Sequence, residues 1–158
     1  MTSIVLLVIV MASLMLISTA SARYNHPRSR QIRITSHADG SLTEVVVNVE
    51  GIFRRHIPHP DERWWILVSP EDSNLVHPGA PVDFSYDRKW EGTWRGRHPI
   101  YLTGDPAQSQ QPFRVMVAKV TPETHWLYVY RLQNEIYDYL EMQPDTIVYD
   151  YVIVERLL

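Results

Sequence analysis

Residues 63–69 read Arg-Trp-Trp-Ile-Leu-Val-Ser, and Pro70 stops the run. Five of these seven residues are large and apolar. A run this short, rich in aromatic and branched residues and ended by proline, predicts a strand buried on both faces. A strand of that kind needs a neighbour on each edge and a layer on each side, so the rest of the chain must supply them. Trp65 or its neighbour Trp64 is expected to anchor the core, because one buried indole contributes about 2–3 kcal/mol.

The segments around it have strand periodicity. Ile32 and Ile34 alternate with polar residues, and Asp39-Gly40 supplies a turn that tolerates positive φ. In Glu44–Glu50, Val45, Val47 and Val49 fall on one face, which predicts a half-buried strand over 44–50. Gly51 to Glu62 reads as a loop. Leu75–His77 and Pro81–Tyr86 read as two short edge strands. Thr93–Leu102 is a third candidate, with Trp94, His98, Ile100 and Leu102 on one side and Pro99 marking an edge or bulge. A polar loop follows from Gly104 to Gln111. Phe113, Val115 and Val117 alternate with Arg114, Met116 and Ala118, and Thr146–Glu155 is apolar on both faces.

Thr121-Pro122-Glu123 carries a helix-start signal: a capping threonine, proline at the first helical position and an acid in the first turn. The pattern predicts a short helix over residues 122–134. Strands separated by turn signals, with one helix, predict an all-β fold over residues 31–158, an antiparallel β-sandwich of Ig-like type. Trp64, Trp65, Val45, Val47, Phe113 and Val115 are the expected core anchors.

The first 22 residues carry no charged side chain, and Ile4–Ile17 is nearly unbroken apolar sequence. They predict an N-terminal hydrophobic helix ahead of the domain, either a signal peptide cleaved after Ala22 or a membrane anchor. Residues 23–30 form a basic linker, and residues 23–33 together hold Arg23, Arg28, Arg30 and Arg33 without an acid. The formal charge of the whole chain is −3, so residues 34–158 carry −3 − 4 = −7. An acidic body disfavours nucleic acid as a partner. The expected partner is a membrane, through the N-terminal segment, and the expected place is extracytoplasmic, secreted or anchored. The basic cluster after the apolar run leaves open an anchored domain facing the cytoplasm.

Several chemistries are excluded by residue type. With no cysteine, disulfides, thiolate catalysis and cysteine-based zinc sites are out. No Gly-x-Ser-x-Gly elbow, phosphate-cradling glycine loop or His-Glu-x-x-His motif occurs. His56 and His59 form the one close histidine pair. Zinc there would need further donors from His77, His98, Asp61 or Glu62, whereas the plain reading is a histidine-rich surface loop. Asp61 and Glu62 beside these histidines are also the candidate pocket of a small envelope hydrolase. No cofactor is expected. The aromatics offer another possibility: Trp90, Trp94, Tyr86 and Tyr101 as a stacking surface for sugar rings, weighed against ordinary core packing.

The order of motifs carries a resemblance. Ile32-Arg-Ile-Thr-Ser36, Trp65-Ile-Leu-Val-Ser-Pro70, Glu91-Gly-Thr-Trp94, Leu102-Thr-Gly-Asp105 and Phe113-Arg-Val-Met-Val117 occur in sequence. This order resembles a recurrent Ig-like domain of bacterial and archaeal envelope proteins, over nearly all of the chain from Ile32 onward. His37 stands where that family tends to proline, Glu91 where it tends to aspartate, and the helix is richer in aromatics. The resemblance implies a sandwich architecture and an envelope location, and it transfers no catalytic residue. Taken with the N-terminal segment, it leads to the expectation of a non-catalytic, membrane-targeted binding or structural module, with a protein or a glycan as the candidate partner. A carbohydrate-binding module and the small hydrolase stand as alternatives.

Overall fold

The computed structural model describes residues 31–55, 59–88, 90–102 and 112–157. The apolar leader 1–22, the basic linker 23–30, His56 and the expected loop from Gly104 to Gln111 lie outside the described residues. Among the described residues are eleven strands and one helix: β1 (Ile32–Ile34), β2 (Ser41–Thr43), β3 (Val46–Val47), β4 (Glu50–Arg54), β5 (Arg63–Pro70), β6 (Leu75–Arg88), β7 (Glu91–Gly96), β8 (Ile100–Tyr101), β9 (Pro112–Val120), α1 (Pro122–Gln133), β10 (Leu140–Glu141) and β11 (Ile147–Arg156). The fold is all-β in character, as the periodicity predicts.

One sheet follows the path β1-β4-β7-β6-β5-β9-β11-β2. β10 pairs with the start of β6, and β3 and β8 form a separate two-stranded ladder. The apolar run 63–69 sits in β5, with β6 on one edge and β9 on the other. Its alternate residues feed two different cores. Trp64, Ile66 and Val68 join Phe113, Val115 and Val117 of β9, Val152 and Val154 of β11, and Phe53 and Trp94 from the far part of the sheet. Trp65 and Leu67 join Met116, Ala118 and Tyr128 on the opposite face. A strand with period two can be apolar throughout only when both faces are covered, which is the situation of β5 and β9.

The first core is enclosed because the sheet curls back on itself. Ile34 N–H, on β1 at one end of the path, donates to Asp150 Oδ2 of β11 near the other end at 2.8 Å. The turn at 36–40 then carries the chain across to β2, with Gly40 at φ 74° and its N–H donating to Ile153 O. β2 therefore enters beside β11 in the same direction, and this one pair is parallel. The expectation of a wholly antiparallel sheet is corrected at that point. A bulge between Val148 and Asp150 reverses the alternation in β11, so that Tyr149 joins the enclosed core and Val148 the outer one.

The second core lies beneath α1. Thr121 caps the helix, its hydroxyl accepting from Thr124 N–H, with Pro122 in the first turn and Arg131 in the last. The side chain of Asp145 ties this cap down, accepting from Thr121 N–H and Thr124 Oγ1, both at 3.0 Å. Strand-like composition in His125–Tyr130 yields to the cap and to the fit of Tyr128 edge-on against Trp65.

Four expectations need correction. Val45, an expected core anchor, is 43% exposed, although Val47 and Val49 are buried as predicted. The valine segment breaks into β3 and β4, and Val45 lies past the two-residue ladder of β3 with β8. The segment from Gly51 to Arg54, expected as loop, belongs to β4. A Cβ at Gly51 would lie 1.9 Å from Arg33 O and 2.4 Å from the Trp94 ring, so glycine here permits close packing rather than breaking a strand. The two supposed edge strands in 75–86 are one interior strand, β6. Gly79 is bulged out of register between Pro78 and Ala80, and Pro81 marks the point where pairing passes from β5 to β7. Proline is tolerated where the ladder does not need its N–H. Finally, 93–102 splits into β7 and β8, which leaves His98 exposed rather than beside Trp94.

Candidate functional site

A cleft of about 450 Å³ opens beside the first half of β6. His77 and Gly79 of β6, His98 and Pro99 ahead of β8, Tyr101 of β8, Leu132 of α1 and Tyr137 line it. The local sequence explains the shape. Gly79 lies under Ile100, whose Cγ2 would sit 2.6 Å from any Cβ there. The bulge at Gly79 lets β8 approach and brings His98 and Tyr101 to the rim.

His77 is 5% exposed, and its Nδ1, shut off from solvent, has no hydrogen-bond partner among the described residues. The rings of Tyr137 and Tyr139 lie 6.0 and 6.3 Å from it. Burial, and to a lesser degree the positive charge of Arg131, lowers its pKa, so the imidazole is neutral near pH 7. His98 Nδ1 lies 3.1 Å from Pro99 O. A carbonyl only accepts, so Nδ1 of His98 carries the proton in this bond and Nε2 is its acceptor. Tyr101 and Tyr137 are each 55% exposed at the mouth. Two imidazoles and two phenols with apolar Leu132 and Pro99 make a lining suited to a ring that offers hydroxyl donors.

The sequence-derived stacking set does not come together. Trp94 is 1% exposed: its ring covers Gly51, and its Nε1 donates to Ile52 O at 3.2 Å, so it is a core residue. Trp90, 49% exposed, lies with Arg55, Arg88 and Glu91 around a separate open depression. Tyr86 is near it on β6 and meets Phe53 edge-on. Tyr101 alone reaches the cleft, and its companions there, Tyr137 and His77, were missed as stacking and recognition groups. Nothing local distinguishes Tyr137 from the eight other tyrosines; only the path of the chain after α1 brings it to His77.

The histidine and carboxylate candidates are also separated. His59 is exposed, its Nδ1 taking Asp61 N–H at 3.3 Å with Asp61 Oδ2 also at 3.3 Å. Its proposed companions His77 and His98 are in the cleft instead. Among the described residues, no group of three or more His, Cys, Asp or Glu is placed to hold a metal ion. Glu62 is engaged in the framework: it pairs with Lys119 at 3.0 Å and accepts from Trp64 Nε1 and His59 N–H, each at 3.2 Å. Burial pushes its carboxyl up, but these partners outweigh burial and hold it below the usual carboxylate value. A partly buried indole–imidazole bond, Trp65 Nε1 to His125 Nδ1 at 3.1 Å, fixes His125 Nδ1 as an acceptor at the start of α1.

No family model, curated protein or solved structure matches the chain.

Proposed function

We propose that the chain is a membrane-targeted, Ig-like binding module of the cell envelope without a catalytic centre, and that its ligand contact is the His77–Tyr101–Tyr137 cleft. The strand order supports the Ig-like assignment. If β1, β4, β7 and the second half of β6 stand for strands A, B, E and D, then β5, β9 and β11 stand for C, F and G, and the chain visits them in the Ig order. Tryptophan on the C-equivalent strand, here Trp64 facing the enclosed core, fits the same plan. The helix between the F and G equivalents is an addition to the plain Ig plan, at the place where the resemblance leads one to expect it.

The observation that carries the binding reading is the unpartnered, buried Nδ1 of His77 in a cleft edged by two half-exposed tyrosines. A buried ring nitrogen left unsatisfied costs about 1–3 kcal/mol, and a ligand hydroxyl, which both donates and accepts, would meet it in either tautomer. Tyrosine faces stack on the apolar side of a sugar ring, so a glycan is the ligand class favoured by the lining. Against the hydrolase alternative stands the engagement of Glu62 with Lys119 and Trp64.

Saturation-transfer NMR on the full chain with soluble oligomers of N-acetylglucosamine and of glucose tests the site. Ring protons of at least one series are expected to receive magnetisation, and Tyr101→Ala or Tyr137→Ala is expected to weaken binding about tenfold. Binding that survives both substitutions, or none by either series, overturns the glycan assignment. The envelope location is tested by protease treatment of intact cells with N-terminal sequencing. Digestion from outside is the expected result, and a fully protected chain would reverse it.

A further inference from the structure

We infer that the end of the domain carrying Arg54, Arg55, Arg88 and Trp90 is a docking surface for an anionic lipid bilayer. The proposal rests on the membrane reading of the N-terminal segment and goes beyond it by fixing which surface of the domain faces the lipid. The first observation is where the chain enters. Gln31 O accepts from Arg54 N–H, and Ile32 pairs with Phe53, so the polypeptide arrives alongside the end of β4. Arg54 pairs in turn with Glu91 at the start of β7, and Arg88 at the end of β6 pairs with the same residue. Three strand ends and the point of entry therefore lie together.

The second observation is distance. Eight residues, 23–30, separate the apolar segment from Gln31. Fully extended they span at most about 29 Å. The far end of β6 begins at Leu75, thirteen residues from Arg88, or about 43 Å along an extended strand. With residues 1–22 in a bilayer, the end bearing Arg54 is the one held against it.

The third observation is chemistry. Arg54, Arg55 and Arg88 are exposed, and among the described residues none of their guanidinium groups is held in an ion pair. Trp90 stands beside Arg55 and Arg88, and an indole at headgroup depth between basic residues is the usual interfacial combination. Lys89, next to Arg88 in sequence, makes four basic residues, and Asp87 and Glu91 offset two of them, leaving 4 − 2 = +2, to which Arg23, Arg28 and Arg30 of the linker add three. Residues 34–158 carry −7 in all, so outside this end they carry −7 − 2 = −9. An anionic surface attracts one end of such a body and repels the remainder, which orients it. Each arginine near the surface multiplies the docked population about fivefold.

The absence of cysteine makes the test direct, since a single introduced cysteine is the sole labelling point. Full-length Ser85→Cys and Asn74→Cys chains, labelled with a fluorophore, are placed in vesicles of phosphatidylcholine with or without phosphatidylglycerol, carrying a headgroup-borne quencher. Ser85 lies three residues short of Arg88, and Asn74 is in the turn at the opposite end of β6. Quenching at residue 85 is expected to exceed that at residue 74 several-fold in anionic vesicles. The excess should shrink in neutral vesicles to what the tether alone gives, and shrink as far in anionic vesicles when Arg54, Arg55 and Arg88 are changed to serine; an excess that neither change reduces overturns the docking surface. Equal quenching at both labels in a chain that floats with anionic vesicles overturns the docking surface and leaves the membrane reading intact. A chain that does not float with any vesicle removes the membrane reading and the docking surface with it.

Discussion

A methyl group at residue 51 has nowhere to go. It would overlap Arg33 O on β1 and the Trp94 ring on β7, and neither is a flexible side-chain end. Gly51→Ala is expected to destabilise the domain by about 2–4 kcal/mol, read as a lower midpoint in urea. An unchanged midpoint would mean that Trp94 does not lie over the strand. A buried imidazole, His77, and a half-buried one, His125, lead to a second expectation. Burial lowers the pKa of His77 and of His125, in both cases with help from nearby arginines. Protonation therefore favours the unfolded chain. Their contribution is whole above about 6.5, the ordinary imidazole value, and is lost as pH falls through the lowered folded values. Protonating His125 also takes the acceptor from the Trp65 indole. Thermal melts are expected to drop between pH 7 and pH 5, and His125→Gln to flatten part of that slope; a level profile would contradict both histidine environments. Residues of this kind were legible only in part. Trp64 and Trp65 were readable as core because their neighbours in sequence are apolar. Trp94 stood between a stacking surface and core packing because its cover, Gly51 and Ile52, lies more than forty positions away.

Elements with local signals were read well, and elements specified by distant partners were not. The helix is fixed by Thr121, Pro122 and Glu123, all within one turn, so composition could not hide it. The central strand is fixed by its own apolar run. β6 was divided in two because proline and glycine at 78, 79 and 81 punctuate turns in most chains. Here the bulge and the change of partner absorb them. The break between β3 and β4 has no local mark at all, since it depends on where β8 ends. The cap itself gives a third expectation. Burial raises the Asp145 carboxyl, but the bonds from Thr121 and Thr124 prevail and hold it below the usual aspartate value. Its contribution is therefore present above about pH 3.8 and is lost as pH falls further. Asp145→Ala removes the acceptor of both bonds and is expected to cost about 1 kcal/mol, the usual worth of a helix cap. Amide exchange should accelerate in 123–126 before it does in β5. Uniform acceleration through the molecule would show that Asp145 does not act on the helix start.

At the scale of the whole molecule, the sheet has two ends that the fold must bring together, and few groups do it. β1 is three residues long and pairs through its ladder with β4 alone. Besides the packing of Ile32 and Ile34 in the enclosed core, what joins it to the other end of the path is the bond from Ile34 N–H to Asp150, a carboxylate 5% exposed. The bond links residues 116 positions apart, so it can form only after the strands between them are in place. If β1 is also where the membrane tether meets the domain, any pull on the tether is resisted first at this point. Removing the carboxylate leaves a buried N–H without its partner, at a cost of about 1–3 kcal/mol. Asp150→Ala is expected to lose that much stability, and Asp150→Asn, which keeps an acceptor oxygen of similar size, to lose less. The discriminating measurement is amide exchange at Arg33 and Thr35, whose N–H groups face β4. In Asp150→Ala these two amides should exchange at rates well above those of β5, because β1 opens without the sheet unfolding. If they keep pace with β5, the curl is held by the enclosed apolar core alone, and the Asp150 bond is incidental to it.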